Sequence, residues 1–318
     1  MTASQPFFIV GSARSGTTLL RLMLDAHPDV SVPPEARIIT ALWKGREEVD
    51  VDEFIRDMEA HKSKSEVFRG WGLDPAAVRE QLGHGDQARY SDLIEACYLA
   101  YAGARGKRRW GVKTPGFVER IPFISGLFPQ ARFIHLIRDG RDVALSYSGV
   151  PFGPKTVAKA ARLWARRVSA GRRYGADLGP ARYLEMRYEK FVRDDVTQLK
   201  RLCDFLDLPF EEAMLNPSRQ ASTINPKHVE QNRYVTERPR TGVRSWQSEM
   251  PHKHIEVFEA VAGGLLSELG YERGCPNPGA WARARAMAAL SGLPVDRIVS
   301  SGPAAGAAGN HSPDQSVQ

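Results

Sequence analysis

The stretch from Phe7 to Leu24 constrains this chain more than any other. It runs Phe7-Phe8-Ile9-Val10, then Gly11-Ser12-Ala13-Arg14-Ser15-Gly16-Thr17-Thr18, then Leu19-Leu20-Arg21-Leu22-Met23-Leu24. The opening apolar run reads as a buried strand and the closing one as a packed helix. Between them a glycine-bounded turn leads straight into a helix N-terminus. The unpaired N–H groups of such a turn and of the first helical turn point outward together, so the junction is built to hold an anion. The spacing Gly11-x4-Gly16 is that of a phosphate-binding loop, yet Thr17 stands where that motif carries its lysine. Arg14 is the loop's one cation. A nucleoside triphosphatase sets the lysine on the β- and γ-phosphates and Mg2+ on the Ser/Thr. Here an arginine fork and hydroxyls hold the phosphate-like group.

Strand-like runs at 6–10, 108–113, 131–137 and 181–187 alternate with helical patterns. The helical patterns fall at 17–26, 35–44, 51–60, 91–104, 117–127, 140–149, 155–174, 189–206 and 252–269. Such alternation predicts an α/β fold, a P-loop-containing parallel sheet flanked by helices. Residues 45–90 have weak periodicity and many charges, so a helical substrate-cap insertion is expected over 45–105. Residues 1–275 then form the main domain and 276–299 a C-terminal helical extension with an apolar helix at 280–290. The Gly/Ala/Ser/Pro-rich end, 300–318, is expected to be a disordered tail.

A second anion cluster follows the third strand. Arg132-Phe133-Ile134-His135-Leu136-Ile137 ends in Arg138-Asp139-Gly140-Arg141-Asp142 and a helix bearing Ser146. Ligands of open α/β sheets bind at the carboxyl ends of strands. Arg138, from the strand end, and Ser146, two helical turns on, are placed to share a second phosphate. Arg141 and Asp142 read instead as members of local ion pairs.

With both clusters in view, the sequence resembles sulfotransferases that use 3′-phosphoadenylyl sulfate (PAPS). The loop Gly11–Thr18 is similar to their 5′-phosphosulfate loop, and Arg138…Ser146 to their 3′-phosphate motif. Arg187-Tyr188-Glu189 and Gly242-Val243-Arg244-Ser245-Trp246 match two further family segments. Met23-Leu24-Asp25-Ala26-His27-Pro28 and Glu35-Ala36-Arg37-Ile38-Ile39 resemble the tyrosylprotein sulfotransferases in particular. The resemblance implies an enzyme that transfers a sulfuryl group from PAPS, its co-substrate, to a hydroxyl acceptor, with no metal. It implies Glu35 as general base and Lys113 on the leaving group. Arg14 falls on the 5′-phosphate or the sulfuryl oxygens, with Ser15, Gly16, Thr17 and Thr18 on the 5′-phosphate. Arg138, Ser146, Tyr188, Arg240 and Gly242 complete the nucleotide site. The loop lysine and histidine base of the phenol and steroid sulfotransferases have no counterpart here; His27 and His135 read as structural. The acceptor stays open among small molecules, carbohydrates, lipids and peptides, as does the oligomeric state. From the residues alone, a P-loop small-molecule kinase and a silent nucleotide-binding protein are the alternatives.

The net charge of +7 favours anionic ligands. Lys155, Lys159, Arg162 and Arg166 line one helical face, and 155–173 holds seven basic residues and no acid. Such a stripe is expected to be solvated or paired with neighbouring acids. No aromatic residues are interleaved with basic ones as in single-strand binders, so nucleic acid is not expected. Cys97, Cys203 and Cys275 lie far apart without metal-ligand spacing, which suits a reducing compartment. With neither a signal peptide nor a long apolar span, the sequence predicts a cytoplasmic protein.

Overall fold

The computed structural model describes residues 5–83, 85–218, 220 and 245–293. Its strands are β1 (Phe7–Gly11), β2 (Val30–Ser31), β3 (Glu48–Asp50), β4 (Gln87–Arg89), β5 (Arg109–Lys113), β6 (Arg132–Ile137) and β7 (Tyr183–Arg187). Five of them form a parallel sheet in the order β2-β5-β1-β6-β7. β3 and β4 pair antiparallel in a separate two-stranded sheet. The helices are α1 (Thr17–Asp25), α2 (Ile38–Ala41), α3 (Val51–Lys64), α4 (Glu66–Arg69), α5 (Pro75–Leu82), α6 (Tyr90–Gly103) and α7 (Ile121–Leu127). They continue as α8 (Gly140–Ser148), α9 (Val157–Leu178), α10 (Tyr188–Arg193), α11 (Asp195–Leu206), α12 (Trp246–Glu249), α13 (His252–Glu268) and α14 (Ala280–Leu290). Among the described residues no helix is long and apolar enough to cross a membrane.

β1 is apolar at every position before Gly11 because both of its faces are covered. Alternate side chains point to opposite faces of a strand. Phe8 and Val10 join one core with residues of α3, α6 and α7. Phe7 and Ile9 join the other with residues of α1 and α11. A third apolar cluster ties α8 and α9 to α13 and α14. β1 lies between β5 and β6, so the carboxyl ends of all three open at one edge. Gly11, Lys113 and Arg138 therefore meet there.

Three differences from the pattern reading have local causes. The helix expected over 35–44 shrinks to α2, Ile38–Ala41. Pro33-Pro34 favours extended backbone before it, and Glu35 turns toward β5 instead. The helix expected over 189–206 divides at Asp194, whose non-helical backbone stops α10 and whose carboxylate accepts the Thr197 N–H at 3.2 Å to start α11. β2, a two-residue strand, is too short to leave a periodic signal. Within 45–105, residues of α3–α6 and β3 share the core of Phe8 and Val10, and His61, Ser65 and Val67 reach the cleft.

Candidate active site

Gly16 closes the phosphate loop in the left-handed region, at φ +92°. A Cβ there would meet the Tyr188 ring at 2.5 Å, so backbone and neighbour both demand glycine. Arg14 is also left-handed, at φ +74°. For a residue with a side chain that conformation costs on the order of 1–3 kcal/mol and persists where its surroundings enforce it. Part of that enforcement is visible: Arg14 Nε donates to Ser146 Oγ at 3.0 Å, joining the loop to α8.

At the end of β6, Arg138 is buried beneath the Tyr188 ring, 4.6 Å from its centroid. Its Nη2 reaches Asp142 Oδ2 at 3.4 Å, and its carbonyl accepts the Trp164 indole N–H at 3.0 Å. Burial pushes the Asp142 carboxyl up to about 6 against the pull of Arg138. The other oxygen of Asp142 accepts the Trp246 backbone N–H at 2.8 Å.

Arg141 belongs to a closed network behind this edge. It forms a two-pronged pair with Asp139, at 3.0 and 2.7 Å, and donates to Glu259 at 2.6 Å. Its guanidinium stacks 3.5 Å over the Trp246 ring. Glu259 also accepts from Arg273 and from the N–H groups of Gly274 and Cys275. Burial alone would raise the Glu259 carboxyl, but these donors outweigh it and hold it below the ordinary range. Glu189, next to Tyr188, accepts the Asp139 N–H at 2.8 Å and the Tyr271 hydroxyl at 3.1 Å. It fixes the turn that presents Arg138.

Glu35 and Lys113 meet across the sheet edge. Lys113 Nζ donates to Glu35 Oε2 at 2.7 Å. The lysine is buried, whereas the carboxylate is about a third exposed, at 32%. Glu35 is positioned by α1: Asp25 accepts the Val32 N–H at 2.8 Å and Arg21 donates to the Val32 carbonyl at 3.0 Å. Both bonds hold the backbone of Val32, just ahead of Pro33-Pro34. The pair opens on a cleft of about 740 Å³ whose walls include Arg14, Thr17 and Thr18.

The structure thus brings Arg14, Thr17, Thr18, Glu35 and Lys113 onto one cleft, with Arg138, Ser146 and Tyr188 alongside the loop. Arg240 and Gly242 lie outside the described residues, as does the tail 300–318. His27 and His135 sit elsewhere. His27 accepts the Asp29 N–H and reaches the Pro209 carbonyl; His135 pairs with the Tyr183 hydroxyl. Among the cleft residues that the pattern reading did not assign to the site are Arg37, Tyr147 and Arg167. Arg167 stands in the basic run of 155–173 but turns inward and pairs with Glu119 at 3.1 Å. Tyr147 had no signal, because only the packing of α8 against the loop aims it into the cleft.

Two buried polar atoms test the fit to a doubly phosphorylated nucleotide. Ser15 Oγ and Arg138 Nε, one at each anion cluster, have no hydrogen-bond partner among the described residues. An unpaired buried donor costs about 1–3 kcal/mol, a cost an incoming phosphate oxygen removes. Among the described residues no group of three or more His, Cys, Asp or Glu could hold a metal ion.

Comparison with known proteins agrees with this geometry. The family model described as "Sulfotransferase family" matches residues 6–212, and that of the "Sulfotransferase domain" matches 163–270. Protein-tyrosine sulfotransferase A of Caenorhabditis elegans is 26% identical over 290 residues, covering 86% of this chain and 70% of that protein. Nodulation protein NoeE of Sinorhizobium fredii is 28% identical over 293 residues, 84% of this chain and 66% of its own length. Among solved structures, the sulfotransferase domain from the Synechococcus PCC 7002 olefin synthase has the same fold. It aligns at TM-score 0.55 and 22% identity, over 86% of this chain and 98% of that one. With its phosphate loop, its second anion cluster and a family model spanning residues 6–212, the chain belongs to the sulfotransferase family.

Proposed function

We propose that this sulfotransferase moves the sulfuryl group of PAPS to an acceptor hydroxyl, with Glu35 as general base. The observation that carries the reading is the Glu35–Lys113 pair, 2.7 Å apart, on the cleft that also holds the phosphate loop. PAPS supplies an activated sulfuryl group on a 5′-phosphate. The acceptor oxygen forms the new S–O bond, the bond to the 5′-phosphate oxygen breaks, and adenosine 3′,5′-bisphosphate leaves. Sulfuryl transfer, like phosphoryl transfer, is accelerated mostly by positioning and by stabilising charge. Glu35 takes the acceptor's proton, which a carboxylate within about 3 Å of the hydroxyl can do. Lys113, already buried beside it, meets the charge growing on the leaving oxygen. Arg14 presents a planar fork to the sulfuryl or 5′-phosphate oxygens. The N–H groups of Ser15 to Thr18 and their hydroxyls hold the 5′-phosphate. Arg138 and Ser146 hold the 3′-phosphate, with Arg240 and Gly242 assigned to the same nucleotide by the sequence. Tyr188, over both Gly16 and Arg138, lies between the two phosphate sites.

The acceptor is a hydroxyl of a small molecule, carbohydrate, lipid or peptide; one relative bears the name of a protein-tyrosine enzyme. Calorimetric titration tests the donor assignment. Adenosine 3′,5′-bisphosphate is expected to bind without Mg2+ and to lose affinity in Arg138→Ala. Preferential binding of ATP with Mg2+ defeats the reading and returns the chain to kinase-like chemistry.

A further inference from the structure

Arg138, the cation given above to the 3′-phosphate, keeps a carboxylate at its side. Asp142, in the first turn of α8, lies with Oδ2 3.4 Å from Arg138 Nη2. That is long for a charge-assisted hydrogen bond, which runs about 2.7–2.9 Å. Arg138 Nε has no partner among the described residues. The guanidinium is therefore placed but not used up. Asp142 is held more firmly, because its Oδ1 accepts the Trp246 N–H at 2.8 Å from a distant part of the chain. It cannot swing away from an arriving phosphate without leaving that buried N–H bare.

Among the described residues no second cation answers Asp142. Arg141, on the same turn, is taken up by Asp139 and Glu259. From α10, Tyr188 lays its ring over Arg138, and Glu189 accepts neutral donors, the Asp139 N–H and the Tyr271 hydroxyl. Glu272 lines the same cavity as Asp142, about 280 Å³ in volume. From α12 comes Glu249, which accepts the Ser245 N–H. Burial, with Asp139 and Glu189 adding to it, already pushes the Asp142 carboxyl up to about 6 against the pull of Arg138 and the Trp246 N–H. A phosphate monoester brings about −1.5 to −2 charges at pH 7. Set on the same buried guanidinium, it raises the proton affinity of the carboxyl further. The phosphate has Arg138 and Ser146 to hold it as an anion, whereas Asp142 keeps one neutral N–H, so the proton falls on Asp142.

We propose that Asp142 takes up a proton from solvent as the 3′-phosphate binds Arg138, and so turns from acceptor to donor. Oδ2 then carries the proton and donates a hydrogen bond to a phosphate oxygen, while Oδ1 keeps the Trp246 N–H. Asp142 is a positioning residue that ties donor affinity to pH. The inference rests on the donor site proposed above.

Calorimetry of the full chain with adenosine 3′,5′-bisphosphate, without Mg2+, tests this. At pH 7, buffers of different ionisation enthalpy report the protons exchanged on binding. Wild type is expected to take up as much as about 0.9 proton more than Asp142→Asn, since a carboxyl titrating near 6 is largely ionised there before binding. Wild-type affinity should fall by as much as about tenfold from pH 7 to 8, and that of Asp142→Asn should not. Asparagine keeps an oxygen for the Trp246 N–H and offers an N–H to the phosphate, as the neutral carboxyl does. Asp142→Asn should therefore bind at pH 8 at least as tightly as wild type, whereas Asp142→Ala should bind severalfold more weakly at every pH. Three outcomes overturn the inference: equal proton uptake in wild type and Asp142→Asn, a loss of affinity in Asp142→Asn as large as in Asp142→Ala, or a wild-type affinity that holds or rises from pH 7 to 8. Each leaves standing a metal-independent bisphosphate site that Arg138→Ala weakens. A bisphosphate that does not bind at all defeats the donor reading and this inference together.

Discussion

Two groups of charge stand at the same sheet edge and are wired in opposite ways. Behind β6, Arg141, Asp139 and Glu259 are buried and share their hydrogen bonds with one another, with Arg273 and with nearby backbone groups. At the cleft, Glu35 has one strong partner, Lys113, and keeps about a third of its side chain exposed. A closed network fixes geometry, because every lone pair and proton is already used. An open pair leaves a carboxylate free to accept a new proton and a cation free to follow new charge. The difference separates residues that hold the site's shape from those placed to react, although both groups are Arg/Lys–carboxylate pairs in sequence.

The contrast is broken most directly at Glu35. Glu35→Gln should reduce kcat by about 10²–10⁴, the usual contribution of a general base. Bisphosphate affinity should change little. Loss of stability with turnover preserved would place Glu35 with the structural charges.

Glu259→Ala makes the opposite test. It strands Arg141 and Arg273, and breaking such a buried pair costs about 3–5 kcal/mol. Urea unfolding at constant m should show it. A normal unfolding midpoint would mean that the network is dispensable.

His135 sharpens the picture of the interior. Burial pushes its imidazole down to about 3, with Arg172 and Arg187 adding to the effect. The unfolded chain takes up this proton near pH 6.5 and the folded one does not, so stability falls as the pH drops through that value. Between pH 8 and 5 the loss attributable to His135 is about 2 kcal/mol. It is measured as the difference in pH dependence between wild type and His135→Gln. Parallel curves would show that the ring is not held neutral.

The smallest effect is expected where the two anion clusters touch. Ser146→Ala removes the acceptor of the Arg14 Nε hydrogen bond. With a net hydrogen-bond contribution of about 0.5–1.5 kcal/mol, bisphosphate affinity should fall roughly 2- to 12-fold. Calorimetry with the substituted protein gives the value directly, and an unchanged affinity would uncouple Ser146 from the nucleotide.

How much could be read from the chain depended on whether the cause was local. β1 and β6 were legible because strands covered on both faces are written as apolar runs, and β7 because buried and half-exposed residues alternate along it. The phosphate loop was legible because its glycines and hydroxyls are consecutive. Glu35 and Lys113 could be proposed individually through a family resemblance. Their contact could not, because it depends on β5 lying beside β1 and on α1 holding Val32. Arg141 was rightly separated from Arg138 as an ion-pairing residue, yet Glu259, 118 residues away, carried no hint of joining it. Arg167 looked like its neighbours in a basic run, and only helix phase and the placement of Glu119 turn it inward.

The position of β1 in the sheet has a consequence for synthesis of the chain. Phe7 pairs with Gly111 on one side and with Arg132 on the other. The central strand therefore leaves the ribosome first and waits for roughly a hundred residues before either neighbour exists. During that interval a very apolar segment has both edges open, and sequence-distant pairing of this kind is slow and exposed to aggregation. Translation speed and chaperone supply, more than the final stability of the sheet, should then govern how much of this protein a cell obtains in active form.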